Sequence, residues 1–255
     1  MASNSIPPIE QRPLTYRCLA LTGTFETNAP PPECFSCVAG DFDGEGISFS
    51  ALQWNLGQGT LQTLLAEMNA SHADVMRTVF GADAAKLSAM LAMPRAQQLA
   101  WARSIQTPRH TLIDAWAGYF HALGETPEFQ ALATSQASAL FTEALDWCRT
   151  LQLTSERAAA LLFDIKVQNG GIAPGVQALI ESDIAGLPAV DPQDTEVAKL
   201  RIVANRRADA SASVWREDVR TRKLTIANGT GTVHGRAYDL GAQFGITLNA
   251  AMPSR

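Results

Sequence analysis

Apolar positions recur at helical spacing along most of the chain. Leu14, Cys18, Leu21 and Phe25 fall three or four apart, the signature of one buried helix face, and Pro13 stands where a first helical turn tolerates proline. Asn28 and the run Pro30-Pro31-Pro32 end that helix. Further helical patterns cover roughly 60–69, 72–80, 83–92, 95–105, 111–123, 127–150, 155–169, 174–185 and 194–212.

Two stretches break the helical rhythm. Residues 38–50 place Gly40, Gly44 and Gly46 among Val38, Phe42, Ile47 and Phe49, which predicts a short β-turn-β element. Lys223 to Gly235 combines β-branched residues with Asn228-Gly229, a hairpin signal. The Gly/Pro-rich stretch 170–192 still carries helical periodicity, so no boundary is placed there. Residues 1–11 read as a flexible leader, and 12–255 as one mainly α (α+β) domain with a small β element and a C-terminal β-hairpin. Such a body can form two lobes around a cleft.

Composition adds bounds rather than a function. The chain has 255 residues, 46% of them hydrophobic, with a formal net charge of −5. That is enough to bury a sizeable core, and it lacks the basic signature of nucleic-acid binding. No run approaches the roughly 20 apolar residues of a membrane span. The first residues lack the basic-then-apolar order of a secretory signal. Basic residues cluster between Arg201 and Lys223 against an acidic remainder, so a cationic polymer would be attracted globally and an anionic one locally, and charge does not choose the substrate.

Cys34 and Cys37 form a C-x-x-C motif. Neither a second such pair nor an H-x₃₋₅-H follows, so zinc is not expected, and the triple proline before the pair does not suit a redox helix. Thiols or a local disulfide bracing the loop is the simpler reading. No metal or cofactor is called for.

The chemistry-bearing segment is Phe25 to Gly59. Glu26 ends the apolar helix, and Asp43 follows 17 positions later in a glycine-punctuated turn. Two carboxylates on separate elements are the minimum equipment for hydrolysing a glycosidic bond. A carboxyl beside an apolar face has a raised pKa, because desolvation disfavours its charged form, and a general acid needs that property. Asp41 competes with Asp43 for the base role, since strand alternation would put both on one face. Asp43 could also be a plain turn aspartate bonding its own backbone. Gln53, Trp54 and Asn55 stand where a cleft wall would run, Trp54 as a sugar-stacking or core aromatic and the two amides as hydroxyl or acetamido partners. Asp164 lies mid-helix among apolar residues and needs a cation. Arg206 and Arg207 are its expected partners in a structural ion-pair network, with Arg216, Arg220 and Arg222 also available.

The set formed by Glu26, the turn Asp43-Gly44-Glu45-Gly46-Ile47-Ser48 and Gly57-Gln58-Gly59 resembles the chitosanase family of the lysozyme-like superfamily. The segment Phe163 to Gly171 is similar to that family's Asp-containing helix. The resemblance implies a lysozyme-like two-lobed helical fold. It also implies inverting hydrolysis of a β-1,4-linked amino-sugar polymer. Glu26 would be the general acid, Asp43 the general base, and Ser48 would take the place of a threonine that holds the attacking water. Inversion needs carboxyls roughly 6.5–9.5 Å apart. The family's Asp-Gly-Arg-Gly-Tyr-Thr motif has an arginine where Glu45 stands here, which reverses a charge next to the base Asp43 and changes the sugar-binding edge to which Asp41 and Glu45 would belong.

From that reversal and the Arg201–Arg222 cluster, the expected substrate is peptidoglycan, cut as by a muramidase, with chitosan as the alternative. A bacteriolytic antibacterial toxin or phage-like lysin fits a chain without a classical signal. It would act outside the cytoplasm on a cell wall, whether delivered by other machinery or as a domain of a larger protein. A cognate immunity or delivery protein is the expected partner besides the polysaccharide. A non-catalytic carbohydrate-binding module on the same scaffold is the rival class.

Overall fold

The computed structural model describes residues 7–188 and 191–253. Residues 1–6 of the expected leader lie outside the described residues, and Ile9–Gln11 forms a turn of 3-10 helix. In chain order the elements are α1 (Leu14–Thr27), β1 (Val38–Ala39), β2 (Ser48–Phe49), β3 (Trp54–Asn55), α2 (Thr60–Ser71), α3 (Ala73–Phe80), α4 (Ala84–Leu91), α5 (Arg95–Ser104), α6 (Asp114–Glu125) and α7 (Pro127–Gln136). Then come α8 (Ser138–Thr150), α9 (Glu156–Asn169), α10 (Pro174–Ala185), α11 (Pro192–Asp209), α12 (Arg216–Asn228), β4 (Thr230–Val233), β5 (Arg236–Asp239) and α13 (Leu240–Phe244). The mainly α body, the small early sheet and the C-terminal hairpin are all present. Among the described residues, no helix is long and apolar enough to cross a membrane.

The chain divides into two compact units, Glu26–Gln136 and the described parts of Met1–Phe25 with Ala137–Arg255. In the first, β1, β2 and β3 form an antiparallel sheet in which Ser48 pairs with both Ala39 and Asn55. Phe49 anchors that sheet, its ring 5.1 Å from Phe120 and 4.9 Å from Phe129. These three buried rings, edge-on toward Phe120 and tilted toward Phe129, fix β2 against α6 and α7.

In the second unit, α1 is buried on every face from Tyr16 to Phe25. Its small and apolar residues run all round the helix, as burial on all sides requires. The buried Arg17 and Glu156 side chains meet at 2.5 Å, and Arg17 also donates to the Gly245 carbonyl at 2.6 Å. Ser155 caps α9 by accepting from Ala158 N–H at 3.1 Å.

Two predicted elements are drawn differently. The single pattern over 127–150 breaks at Ala137 into α7 and α8. Lys223–Asn228 is the end of α12, and Gly229, at φ +81°, is its left-handed C-cap. The hairpin is real but begins at Thr230 and turns at His234-Gly235, both with positive φ. Asn-Gly signals a left-handed residue, which a helix cap uses as readily as a hairpin.

Candidate active site

Glu26 is the first exposed residue of α1 after a fully buried run, directly following Phe25, which is 2% exposed. The helix thus delivers this carboxylate at the point where it leaves the core. Asn28, at φ +56°, turns the chain away. The helix end is then tied to the sheet. The Cys37 thiol is hydrogen-bonded to Thr27, and the Cys37 carbonyl accepts from Ser50 N–H at 2.8 Å, beside β2. Cys34 and Cys37 are free thiols, and burial of Cys37 raises its pKa. Among the described residues no three His, Cys, Asp or Glu side chains are placed to hold a metal ion.

Residues 40–47 are a turn rather than a continuous strand, so the expected alternation does not hold: Asp41 and Asp43 face different surroundings. Asp41 is 4% exposed. Its carboxylate accepts from Gly46 N–H at 2.9 Å and from Arg103 Nε at 2.8 Å, and its own N–H donates to Gln106 Oε1 at 2.8 Å. Burial alone would raise its pKa, but the Gly46 N–H and the Arg103 guanidinium outweigh that and hold it below the usual carboxylate range. Asp41 is therefore a buried anchor.

Asp43 is exposed, with Oδ1 accepting from Glu45 N–H at 3.0 Å, an Asx turn that leaves the carboxylate open to solvent. Gly44 and Gly46, both at φ +87°, make the turn possible. Glu45 braces the turn instead of reaching outward. Its carbonyl accepts from Gly57 N–H at 2.7 Å, and its carboxylate lies 3.5 Å from Arg95 on α5. That arginine offsets the charge reversal at position 45.

Ser48 is half-buried on β2, and its hydroxyl oxygen accepts from Asn55 Nδ2 at 2.9 Å. With the oxygen so held, the Ser48 proton is available to a water. Asn55 is buried and committed: Oδ1 accepts from Gln58 N–H at 3.0 Å, and its N–H donates to Thr60 Oγ1 at 2.8 Å. Gln53, at φ +52°, is half-buried and donates to the Ser50 carbonyl at 2.8 Å. Trp54 is half-buried at the sheet edge. Of the expected sugar-contacting group, Asn55 is thus placed to position Ser48.

Asp164 is fully buried, but its cations are not Arg206 and Arg207. Arg222 donates to it at 2.6 Å and 3.0 Å, Lys223 Nζ forms a second ion pair with it, and the Thr22 hydroxyl donates at 3.0 Å. Arg206 instead grips Asp183 at 2.5 and 2.9 Å, and Arg207 reaches Ser211 at 3.4 Å. Burial would raise the Asp164 pKa, yet Arg222 and Lys223 hold it well below the usual range. Thr22 lies one turn before Glu26 on α1, so this cluster fixes the helix that carries the glutamate.

The residues that hold the Asp43 turn, Arg95 and Arg103, carry no local signal: Arg103 is 62 positions from Asp41. Phe42, within the expected β-turn-β element, lies in the turn and is 71% exposed, its ring 6.0 Å from His110.

This mainly α architecture is similar to the fold of solved chitosanases. A Gynuella sunshinyii chitosanase solved with chitotetraose matches 98% of this chain over the whole of its own, at a TM-score of 0.52 and 15% identity. A native Bacillus subtilis chitosanase matches 90% of this chain over 97% of its own, at 18% identity and a TM-score of 0.52. A glutamate-to-alanine variant from the same organism, complexed with six glucosamine units, covers 97% of its own chain and 90% of this one, at 17% identity and a TM-score of 0.51. No protein-family profile and no curated protein sequence matches the chain.

Proposed function

We propose that the protein is a glycoside hydrolase that cuts β-1,4 bonds of an amino-sugar polymer by general acid/base catalysis with inversion. The observation that carries this reading is the separation of Asp41 from Asp43. One carboxylate is buried and neutralised, while the other is held open on the same compact unit as Glu26. Glu26 donates its proton to the leaving oxygen. Asp43 takes a proton from water, and Ser48, oriented by Asn55, holds that water. The exposed Phe42 ring beside Asp43 offers a face for a sugar ring. The chitosanase fold supports the reading, as does the match of Glu26 and the Asp43 turn to that family's motif.

Chitosan is the polymer the similar structures favour, since they hold chitotetraose and glucosamine. Charge agrees with it. Glu26–Gln136 carries eleven Asp and Glu against five Lys and Arg, a surplus that attracts a polycation. The arginine cluster that suggested an anionic wall polymer is largely consumed by Asp183, Asp209, Glu217 and Asp164. Peptidoglycan is the second reading, favoured by Arg207, a half-buried cation that a chain of glucosamines does not satisfy. In either case the protein acts on polysaccharide outside the cytoplasm.

Digesting purified chitosan and purified peptidoglycan, then weighing the fragments, decides the polymer. Glucosamine oligomers alone support chitosan, and muropeptides alone support the wall reading. Intact polymer in both digests refutes hydrolysis of either.

A further inference from the structure

The unit built from Ala137–Arg255 and most of α1 carries two adjoining grooves, of about 390 and 340 Å³, that share Asn169, Arg207 and Ala210 in their walls. That volume is in the range of small-ligand sites. What sets the grooves apart is the state of Arg207.

Arg206, Arg220 and Arg222 are matched, and Arg216, whose Nε also lacks a partner, lines neither groove. Arg206 is bidentate on Asp183, Arg220 bonds Asp209 and Glu217, and Arg222 lies on Asp164. Arg207 is half-buried between α11 and the grooves. Among the described residues its guanidinium meets only the Ser211 side chain, at 3.4 Å, and its Nε has no hydrogen-bond partner. Burial pulls its pKa down with no carboxylate to offset the effect. Asn169 Oδ1, in the same shared wall, is also buried without a partner. Asp218, the carboxylate lining the larger groove, is engaged by His234 Nε2 at 2.7 Å. A desolvated guanidinium without an anion is costly, and its planar fork fits a carboxylate on two points.

The second feature is Trp215. It lines the larger groove and is 63% exposed, beside Val214 at 76%. Val214 and Trp215 together make an exposed apolar step at this groove, and the flat face of an indole suits the apolar face of a pyranose. A glucosamine unit would bring an ammonium group toward Arg207, which repels it. A sugar with a carboxylate meets both features at once.

We propose that the joined grooves bind a carboxylate-bearing sugar residue, with the acid on Arg207 and the ring on Trp215. This goes beyond the hydrolytic reading and holds whichever polymer is cut. Two sources share the chemistry: the lactyl-ether amino sugar of cell-wall glycan, and a uronic acid.

The test uses the intact chain and four probes followed by NMR titration: N-acetylmuramic acid, N-acetylglucosamine, glucuronic acid and chitotetraose. The first two differ by the lactyl carboxylate. N-acetylmuramic acid is expected to bind roughly tenfold more tightly than N-acetylglucosamine, and added salt should shrink the gap. Arg207→Gln should erase it, and Arg207→Lys should weaken it while keeping the charge. Trp215→Ala should weaken both sugars. Tight binding of N-acetylmuramic acid alone supports a wall source, whereas equal binding of glucuronic acid supports the carboxylate site with a uronic acid as its ligand. Equal affinity for the first two probes in the native chain overturns the proposal without needing any variant, as does a preference that survives Arg207→Gln in a folded protein. Hydrolysis is not the readout, so failure here is distinct from failure of the catalytic reading.

Discussion

Asp41 and Asp43 stand two residues apart in one turn and are held in opposite states. Asp41 is locked beneath it by Gly46 N–H at 2.9 Å and Arg103 at 2.8 Å, while Asp43 stays on the surface with a single local bond to Glu45 N–H at 3.0 Å. The buried acid stiffens the turn and the exposed one is free to work on solvent.

Removing the anchor should loosen the turn while leaving Asp43 in place. Arg103 is 57% exposed at its side chain, so solvent screening limits the loss of stability in Asp41→Asn to about 1 kcal/mol. The Asp41 carboxyl sits below its unfolded pKa. Its contribution is therefore present above about pH 3.9 and is lost as pH falls through the lower folded value. Denaturant unfolding at neutral and acid pH should show the variant losing most at neutral pH. Activity should fall roughly tenfold, and an unaffected variant would contradict the anchoring role.

Asp164 is the costlier carboxylate to remove. Asp164→Ala strands Arg222 and Lys223, which are 2% and 0% exposed at their side chains, and should cost about 3–5 kcal/mol. Its folded pKa is also depressed, so its stabilisation likewise holds above the unfolded value and fades toward lower pH. Urea melts of the variant check the magnitude. Asp183→Asn removes only the partly exposed Arg206 pair, which solvent screens, and should cost far less than Asp164→Ala.

Ser48 and Asn55 should behave as a pair. Ser48→Ala removes the water-holding hydroxyl and is expected to lower kcat roughly 10- to 100-fold with little change in KM. Asn55→Ala leaves the hydroxyl but frees it to rotate, so kcat should fall in the same direction. The double variant should be less than additive. Full additivity in kcat would show that Asn55 does not act through Ser48.

Gly57 has no room for a side chain. A Cβ there would overlap the Glu45 carboxylate and lie 2.6 Å from the Glu45 carbonyl. Gly57→Ala should therefore displace the Asp43 turn, with a stability loss of about 1–3 kcal/mol and a larger proportional loss of activity. Thermal melts and initial rates on the same preparation separate the two.

Much of this was legible locally. Helical periodicity located α1 and put Glu26 at its end, and Asp-Gly chemistry located the turn of Asp43. Partners distant in sequence were not legible, because nothing near Asp41 announces Arg103. Of the arginines that could pair with Asp164, the sequence pointed first to Arg206 and Arg207 although Arg222 is the one that holds it, for a related reason. Successive helix residues point about 100° apart, so an arginine-rich stretch does not reveal which member faces a given acid. Reading Lys223 onward as strand also hid the end of α12, where Arg222 and Lys223 sit side by side on Asp164. Asn228-Gly229 misled because its left-handed glycine caps a helix.

The central claim is that Glu26 and Asp43 divide the acid and base roles of one hydrolytic step. The most direct measurement is the rate of fragment release from the polymer that the native protein cuts, for Glu26→Gln, Asp43→Asn and Asp41→Asn in parallel, with oligomer binding measured on each. The account predicts that the first two lose at least about a thousandfold in kcat while binding oligomer normally, and that Asp41→Asn retains a measurable rate. Native-level hydrolysis by either Glu26→Gln or Asp43→Asn would contradict it.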